Sequence, residues 1–265
     1  MYVDVGGNKT YFYTGSRPFN AELPSIVFIH GAGSDHTVWV LQSRYFAHHG
    51  YNALAVDMPG HGRSAGEVRA SLAGYADWIA AFLDALAVSQ AAMVGHSMGS
   101  LIALEVAARH PQRVSKLALI GVSTPMAVTD TLLSAAEEND HGAFDMINIW
   151  GHALGQIGGH QAPGMWMMGG AVRLLERSGR GVLHNDLKAC NDYQDGVASG
   201  GAVACPTLLL VGEEDMMAPP RRAAELAKTI ADARVKQIES CGHMLMGERP
   251  EEVLDALIEH IAVAA

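Results

Sequence analysis

Cysteine is scarce in this chain, with three residues among 265, at Cys190, Cys205 and Cys241. None sits in a C-x-x-C pair and an odd number cannot pair completely within one chain. That excludes a disulfide framework and leads to the expectation of a reducing, cytoplasmic setting. Positive charge is also short: 18 Lys and Arg face 28 Asp and Glu, for a net charge of −10 and a pI near 5.6. Such a surface repels phosphate polyanions, which argues against nucleic acid and anionic membranes as partners. No apolar run reaches the length of a bilayer span. The opening MYVDVGGNKT has neither the basic start nor the apolar core of a secretory signal, so no export is expected. Internal repeats and low-complexity linkers are missing too. What remains is a chain with 49% hydrophobic residues, enough for one α/β domain or one such domain carrying an insertion.

Six short apolar runs set its rhythm: SIVFIH (25–30), NALAVD (52–57), AAMVGH (91–96), SKLALIG (115–121), TLLLVG (207–212) and ARVKQI (233–238). Runs without strict alternation suit strands covered on both faces, as in a parallel sheet. Helical patterns separate them. Leu72, Tyr75, Ile79, Phe82 and Leu86 recur at spacings of three and four, Leu101, Leu104, Val106 and Ala108 carry another helix, and Pro250 suits the first turn of a last helix over 251–261. Strand alternating with helix predicts a mostly parallel, doubly wound sheet, with KTYFYTG as part of an antiparallel edge. Residues 125–203 break the rhythm. They hold 13 of the 29 glycines and two of the four tryptophans, and FDMINIW and AVRLLER look helical with no strand between them. The expected organisation is a core of 1–124 and 204–265, with a helical cap of 125–203 over the carboxyl edge of the sheet, where open α/β folds place ligands.

Two serines sit in G-x-S-x-G. Ser64, in GRSAG, follows the turn-rich DMPGHGR and precedes no helix, whereas Ser97, in GHSMG, follows the buried run AAMVG and leads directly into LIALEVAARH. Only Ser97 occupies a strand-to-helix elbow, where a strained turn exposes the hydroxyl and glycine two residues away on either side avoids collision. A serine needs a base, and the base an orienting acid. Asp215 lies in EEDMMAPP just past the run TLLLVG, with Glu213 and Glu214 as competing acids; His243 lies in ESCGHMLM past ARVKQI. Both loops belong to the edge that carries Ser97. His30-Gly31-Ala32-Gly33 follows another strand, and its backbone can turn the Ala32 N–H toward the site to share an oxyanion with the Met98 N–H. Of the thirteen histidines, His110 and His260 read as surface or packing residues and His96 as packing beside the nucleophile. His141, His152, His160 and His184 lack the spacing of metal ligands, so no metal site is expected.

HGAG with Trp39 downstream, DMPGHGRS, GHSMGS, VGEED and CGHM occur in the order in which the α/β-hydrolase fold family carries its motifs. The chain resembles that family along most of its length. The resemblance implies an eight-stranded sheet with an inserted cap, a triad of Ser97, Asp215 and His243, and oxyanion donors at Ala32 and Met98. Relatives with aspartate at the elbow, the epoxide hydrolases and haloalkane dehalogenases, are set aside because position 97 is serine. Esterases, small-acyl lipases, thioesterases, lactonases, cofactor-free haloperoxidases and carbon–carbon hydrolases remain.

The leading expectation is a serine carboxylesterase that needs no cofactor and cleaves small to medium apolar acyl or aryl esters. Met126, Trp150, Met165, Trp166, Met168, Met217 and Met244 are its expected pocket wall, with Met146, Met167, Met216 and Met246 close by. Arg173 or Arg177 would serve the carboxylate of a dienol acid in the carbon–carbon hydrolase alternative. A slow-turnover receptor on the same fold is the other alternative.

Overall fold

A computed structural model describes residues 1–156 and 166–262 of the chain. Eight strands form one sheet: β1 (Tyr2–Val5), β2 (Asn8–Tyr13), β3 (Ser25–Ile29), β4 (Asn52–Val56), β5 (Ala91–His96), β6 (Val114–Ile120), β7 (Thr207–Gly212) and β8 (Ala233–Ile238). Their spatial order is β1-β2-β4-β3-β5-β6-β7-β8. β1 and β2 are antiparallel and β2 meets β4 antiparallel, while every pairing from β4 across to β8 is parallel. The sheet is therefore the mostly parallel α/β sheet that the apolar runs predict, with its antiparallel pair at one edge.

Continuous burial of β3, β4, β5 and β7 requires cover on both faces. Successive side chains alternate between those faces. Val27 and Ile29 join a core with Tyr75 and Phe82 of α2 (Leu72–Ala85) and Leu101 and Leu104 of α3 (Met98–Arg109). Ile26 and Phe28 join the opposite core with Phe46 of α1 (Val40–His48), Trp39, and Val253 and Leu257 of α11 (Pro250–Ile261). α2 starts where Ser71 accepts the Gly74 N–H at 3.2 Å, an N-cap that contributes about 1 kcal/mol. α11 starts with Pro250 in its first turn, where a missing N–H costs nothing.

Between β6 and β7 the chain forms α4 (Asp130–Glu138), α5 (His141–Gly151), α6 (Met167–Glu176), α7 (Val182–Asp192) and α8 (Gly196–Ala202). Leu132, Phe144, Leu175, Leu183 and Leu187 give this segment a small core of its own. The segment does not behave uniformly up to residue 203. α8 packs on α3 and on α9 (Pro220–Ala227), so it belongs to the layer flanking the sheet rather than to the layer over its edge. The junction is polar: Glu105 on α3 accepts hydrogen bonds from Tyr193 at 2.7 Å and Ser199 at 2.5 Å. A buried carboxylate on α3 thus ties Tyr193 and Ser199 to the sheet-flanking layer, a contact that no composition shift marks. α10 (Leu245–Glu248) completes the described helices.

Candidate active site

The parallel strands end along one edge, and the loops leaving β3, β5, β6, β7 and β8 meet there. Ser97 links β5 to α3 at φ 54 and ψ −120. A non-glycine residue there stores roughly 1–3 kcal/mol of strain. Its N–H donates to Ile120 O at 2.9 Å, which fixes the turn to β6. The two glycines have different reasons. A Cβ at Gly95 would collide with the backbone of Gly99, across the turn, but a Cβ at Gly99 would strike the Ile29 and His30 carbonyls at the end of β3. Ser64 has no such setting. Its hydroxyl donates to Asp57 O at 2.6 Å and accepts the Tyr11 N–H at 2.9 Å, tying its loop to β2.

Asp215 is buried in the loop after β7. Its Oδ1 accepts the N–H groups of Met217 at 2.9 Å and Ala218 at 2.7 Å, and its Oδ2 lies 2.8 Å from His243 Nδ1. The competing acids are engaged elsewhere, Glu213 by the Ser240 N–H and Glu214 by the Leu154 N–H. Because the carboxylate accepts, His243 Nδ1 carries the hydrogen and Nε2 is the bare nitrogen. Nε2 is buried without a hydrogen-bond partner among the described residues. No hydrogen bond joins it to Ser97 Oγ among the described residues, but both side chains line the same cavity. Such contacts often tighten only when substrate arrives.

The backbone of His243 is held as firmly as its ring. The N–H groups of His243 and Met244 both donate to Gly151 O at 2.9 Å, and His96 Nε2 lies 2.8 Å from His243 O. A carbonyl only accepts, so His96 carries its hydrogen on Nε2. Burial, reinforced by the nearby His243, pushes the His96 pKa down to about 3 and keeps the ring neutral. Gly121, at φ 60 after β6, leaves room for the His243 ring. From sequence His96 reads only as packing beside the nucleophile, and no motif marks Gly121.

Ala32 lines the cavity beside Ser97, and its loop comes close enough that a Cβ at Gly31 would lie 3.3 Å from Ser97 Cβ. Met98 is the first residue of α3, so its N–H has no intrahelical partner. Among the described residues neither the Ala32 nor the Met98 N–H donates to another group.

The main cavity at Ser97 has a volume of about 260 Å³, and Met126, Trp150 and Met217 line it together with Leu132, Leu187 and Cys190. A smaller lobe of about 50 Å³ between Ser97 and His243 is lined by Ala32, Asn148 and Met244. No Lys or Arg lines either lobe among the described residues. Two expected wall residues are elsewhere. Trp166 is 72% exposed and lies against Gly169 of its own helix, and Met168 is half-buried outside both lobes. Helix α6 presents a different face to the site, through Ala171, Leu174 and Leu175. Met165 and His160 lie outside the described residues. Leu132, Leu187 and Cys190 went unread because helical periodicity marks an apolar face without saying what it meets.

Arg173 pairs with Glu176 and Arg177 with Asp35, each away from both lobes. Asp35, His36 and Asp57 form a cluster with metal-ligand geometry, but its atoms are already bonded. Asp57 Oδ1 lies 2.7 Å from His36 Nδ1, Asp57 Oδ2 accepts the Arg63 N–H, and Asp35 holds Thr37 and Arg177.

A model of the alpha/beta hydrolase family matches residues 26–256. The chain belongs to the alpha/beta hydrolase family. It is 27% identical over 265 residues to the (E)-2-((N-methylformamido)methylene)succinate hydrolase of Acinetobacter baylyi, covering 96% of this chain and 95% of that relative. It is 28% identical over 263 residues to the pimeloyl-[acyl-carrier protein] methyl ester esterase of Chromobacterium violaceum, covering 91% and 96%. The enol-lactonase of Burkholderia xenovorans superimposes with a TM-score of 0.88 at 22% identity, over 98% of this chain and 99% of that one, and shares the fold. This hydrolase-fold chain has no helix among the described residues that is long and apolar enough to cross a membrane.

Proposed function

We propose that the protein is a serine hydrolase that cleaves neutral carboxylic esters carrying small to medium apolar acyl or aryl groups. The observation that carries this reading is the state of His243. Its Nδ1 is committed to Asp215 at 2.8 Å, and its bare Nε2 is buried without a partner among the described residues, in the residue that shares a cavity with Ser97. In this reading Ser97 Oγ attacks the ester carbonyl as His243 Nε2 accepts its proton, and Asp215 stabilises the imidazolium. The oxyanion takes the N–H groups of Ala32 and Met98, each worth about 3 kcal/mol in the transition state. His243 returns the proton to the leaving alcohol, and a water deprotonated by the same nitrogen releases the acid. Residues 125–203 act as the cap, with the α8 end docked on the core.

The uncharged wall of Met126, Leu132, Trp150 and Leu187 supports an apolar acyl group over a dienol acid, whose free carboxylate calls for a cationic partner in the pocket. The Chromobacterium relative, named as a methyl ester esterase, adds support for ester chemistry. No cofactor enters the mechanism, and the expected setting is the reducing cytoplasm, with a small molecule as the partner. A panel of nitrophenyl esters of increasing acyl length, run beside one coloured dienol acid, tests the reading. It predicts turnover of neutral esters and its loss in Ser97→Ala. Undiminished turnover in Ser97→Ala, or preference for the dienol acid, would refute it.

A further inference from the structure

Asp186, on α7 of the inserted segment, is fully buried and its oxygens meet four donors. Oδ2 lies 2.7 Å from His61 Nε2 and accepts the Gly33 N–H at 2.9 Å. Oδ1 accepts the Tyr75 hydroxyl at 3.0 Å and an Asn185 N–H at 3.4 Å. His61 comes from DMPGHGRS, the loop after β4, and its Nδ1 lies 2.9 Å from Pro59 O. A carbonyl and a carboxylate both accept, so both ring nitrogens carry hydrogens and the ring is an imidazolium. Burial alone would lower the His61 pKa; Asp186 and Pro59 O reverse this and hold it above the usual value.

These contacts converge on the two peptide groups that flank Ala32. On one side the Gly33 N–H is bound to Asp186. On the other, Gly31 O accepts from His30 Nδ1 at 2.9 Å and from the Ser34 N–H at 3.2 Å. The peptide is trans, so fixing Gly31 O fixes the Ala32 N–H in the opposite direction. His30 is itself set by this arrangement. Its Nε2 accepts the Met58 N–H at 3.2 Å, and its ring lies 4.9 Å from that of His61. Burial and the His61 charge together lower the His30 pKa to about 4, which keeps Nε2 an acceptor.

We propose that Asp186 is a positioning residue: a carboxylate of the inserted segment that locks the loop bearing the Ala32 N–H, so this donor is aimed only when α7 is seated. The inference rests on the proposed acyl-transfer reading. Stability alone is a weak reason for the residue, because well-packed apolar groups often replace a buried ion pair without loss. An apolar group cannot hold a backbone N–H in one direction. The fit is close, since a Cβ at Gly33 would lie 3.1 Å from Leu175 and Leu183 of the same segment.

Asp186→Asn and Tyr75→Phe separate the roles, because each removes interactions at one carboxylate but only the first weakens the hold on Gly33. Turnover of a neutral nitrophenyl ester is normalised to serine titrated with a fluorophosphonate, and hydrogen exchange is read on a peptide covering residues 30–34. The expected result for Asp186→Asn is a kcat per titrated serine about 10- to 100-fold lower, with KM within about threefold and faster exchange at 30–34. Tyr75→Phe keeps kcat within about threefold. If Asp186→Asn does not fold, the Asp186→Asn/His61→Gln double variant, which leaves no stranded cation, is read in the same way. Unchanged kcat in the Asp186 variant, or equal losses in both variants, overturns the proposal. Exchange does not depend on turnover: an inactive wild type whose 30–34 exchange still responds to Asp186→Asn would sink the esterase reading and leave the lock standing, whereas unaltered exchange would sink the lock.

Discussion

Gly121→Ala is the smallest change that reaches His243 without touching the cavity wall. Gly121 has φ 60, and an added Cβ would lie 3.0 Å from both Cε1 and Nδ1 of His243. Two costs follow. Alanine in the left-handed region is worse than glycine by about 1 kcal/mol, which in a chain of this size lowers Tm by roughly 2–4 °C. Carbon atoms rest about 3.5–4.0 Å apart, so the imidazole must also retreat by roughly 0.5–1 Å. It cannot do so freely, because Nδ1 is bound to Asp215 and the His243 carbonyl to His96. Misplacement of a base by this distance costs about 10- to 100-fold in kcat, while KM for a neutral ester stays within about threefold. Steady-state kinetics with a nitrophenyl ester, with Tm measured on the same preparation, checks both. Gly201→Ala in α8 is the control: nothing among the described residues lies within 4 Å of its Cβ, so kcat is unchanged and Tm rises slightly or stays level. A folded Gly121→Ala enzyme with kcat within twofold of wild type would refute the claim that the position of His243 limits the reaction.

Stability is expected to fall in mild acid. His96 and His30 have folded-state pKa values of about 3 and about 4 against 6.5 for the free ring, so below pH 6.5 the unfolded chain binds protons that the folded one refuses. Each group removes about 2 kcal/mol by pH 5, a drop of roughly 10 °C in Tm between pH 7 and 5 for the pair. A Tm constant across that range would contradict the burial argument. His61 has the opposite sign: its raised pKa adds stability that is full below 6.5 and is lost as the pH rises through the folded value. Asp215→Asn keeps an oxygen for the Met217 and Ala218 N–H groups but presents an amide to His243 Nδ1, reversing the tautomer, so kcat should fall about 10³- to 10⁴-fold; a loss under tenfold would remove Asp215 from the mechanism. Trp150→Ala should shift the acyl-length preference of an ester panel and Trp166→Ala should not, since only Trp150 lines the cavity; the reverse pattern would mislocate the acyl site.

What the sequence disclosed was local. AAMVG running into LIALEVAARH is a strand that becomes a helix, and GHSMG at that join marks the turn at φ 54. Likewise the runs TLLLVG and ARVKQI end where Asp215 and His243 follow, and parallel strands bring such ends to one edge. What stayed hidden depends on contacts between distant segments. Asp186 meets His61 across 125 residues and His96 meets the His243 carbonyl across 147, and no periodicity encodes either. The inserted helices are legible as helices, but their rotation is not: MWMM suggested a pocket wall, whereas α6 turns Leu174 and Leu175 toward the site and leaves Trp166 in solvent. The docking of α8 on α3 through Glu105, a single buried carboxylate, is another such long-range contact that composition does not mark.

The central claim is that Ser97 becomes acylated. Rapid quenching of the 265-residue chain with a slowly released acyl donor, followed by mass spectrometry of the peptide carrying GHSMGS, tests it most directly. The account predicts one acyl group on Ser97 that decays at the rate of turnover, and none in Ser97→Ala. Acyl transfer to Ser64 or another residue, or turnover with no covalent species on the 95–100 segment, would contradict it.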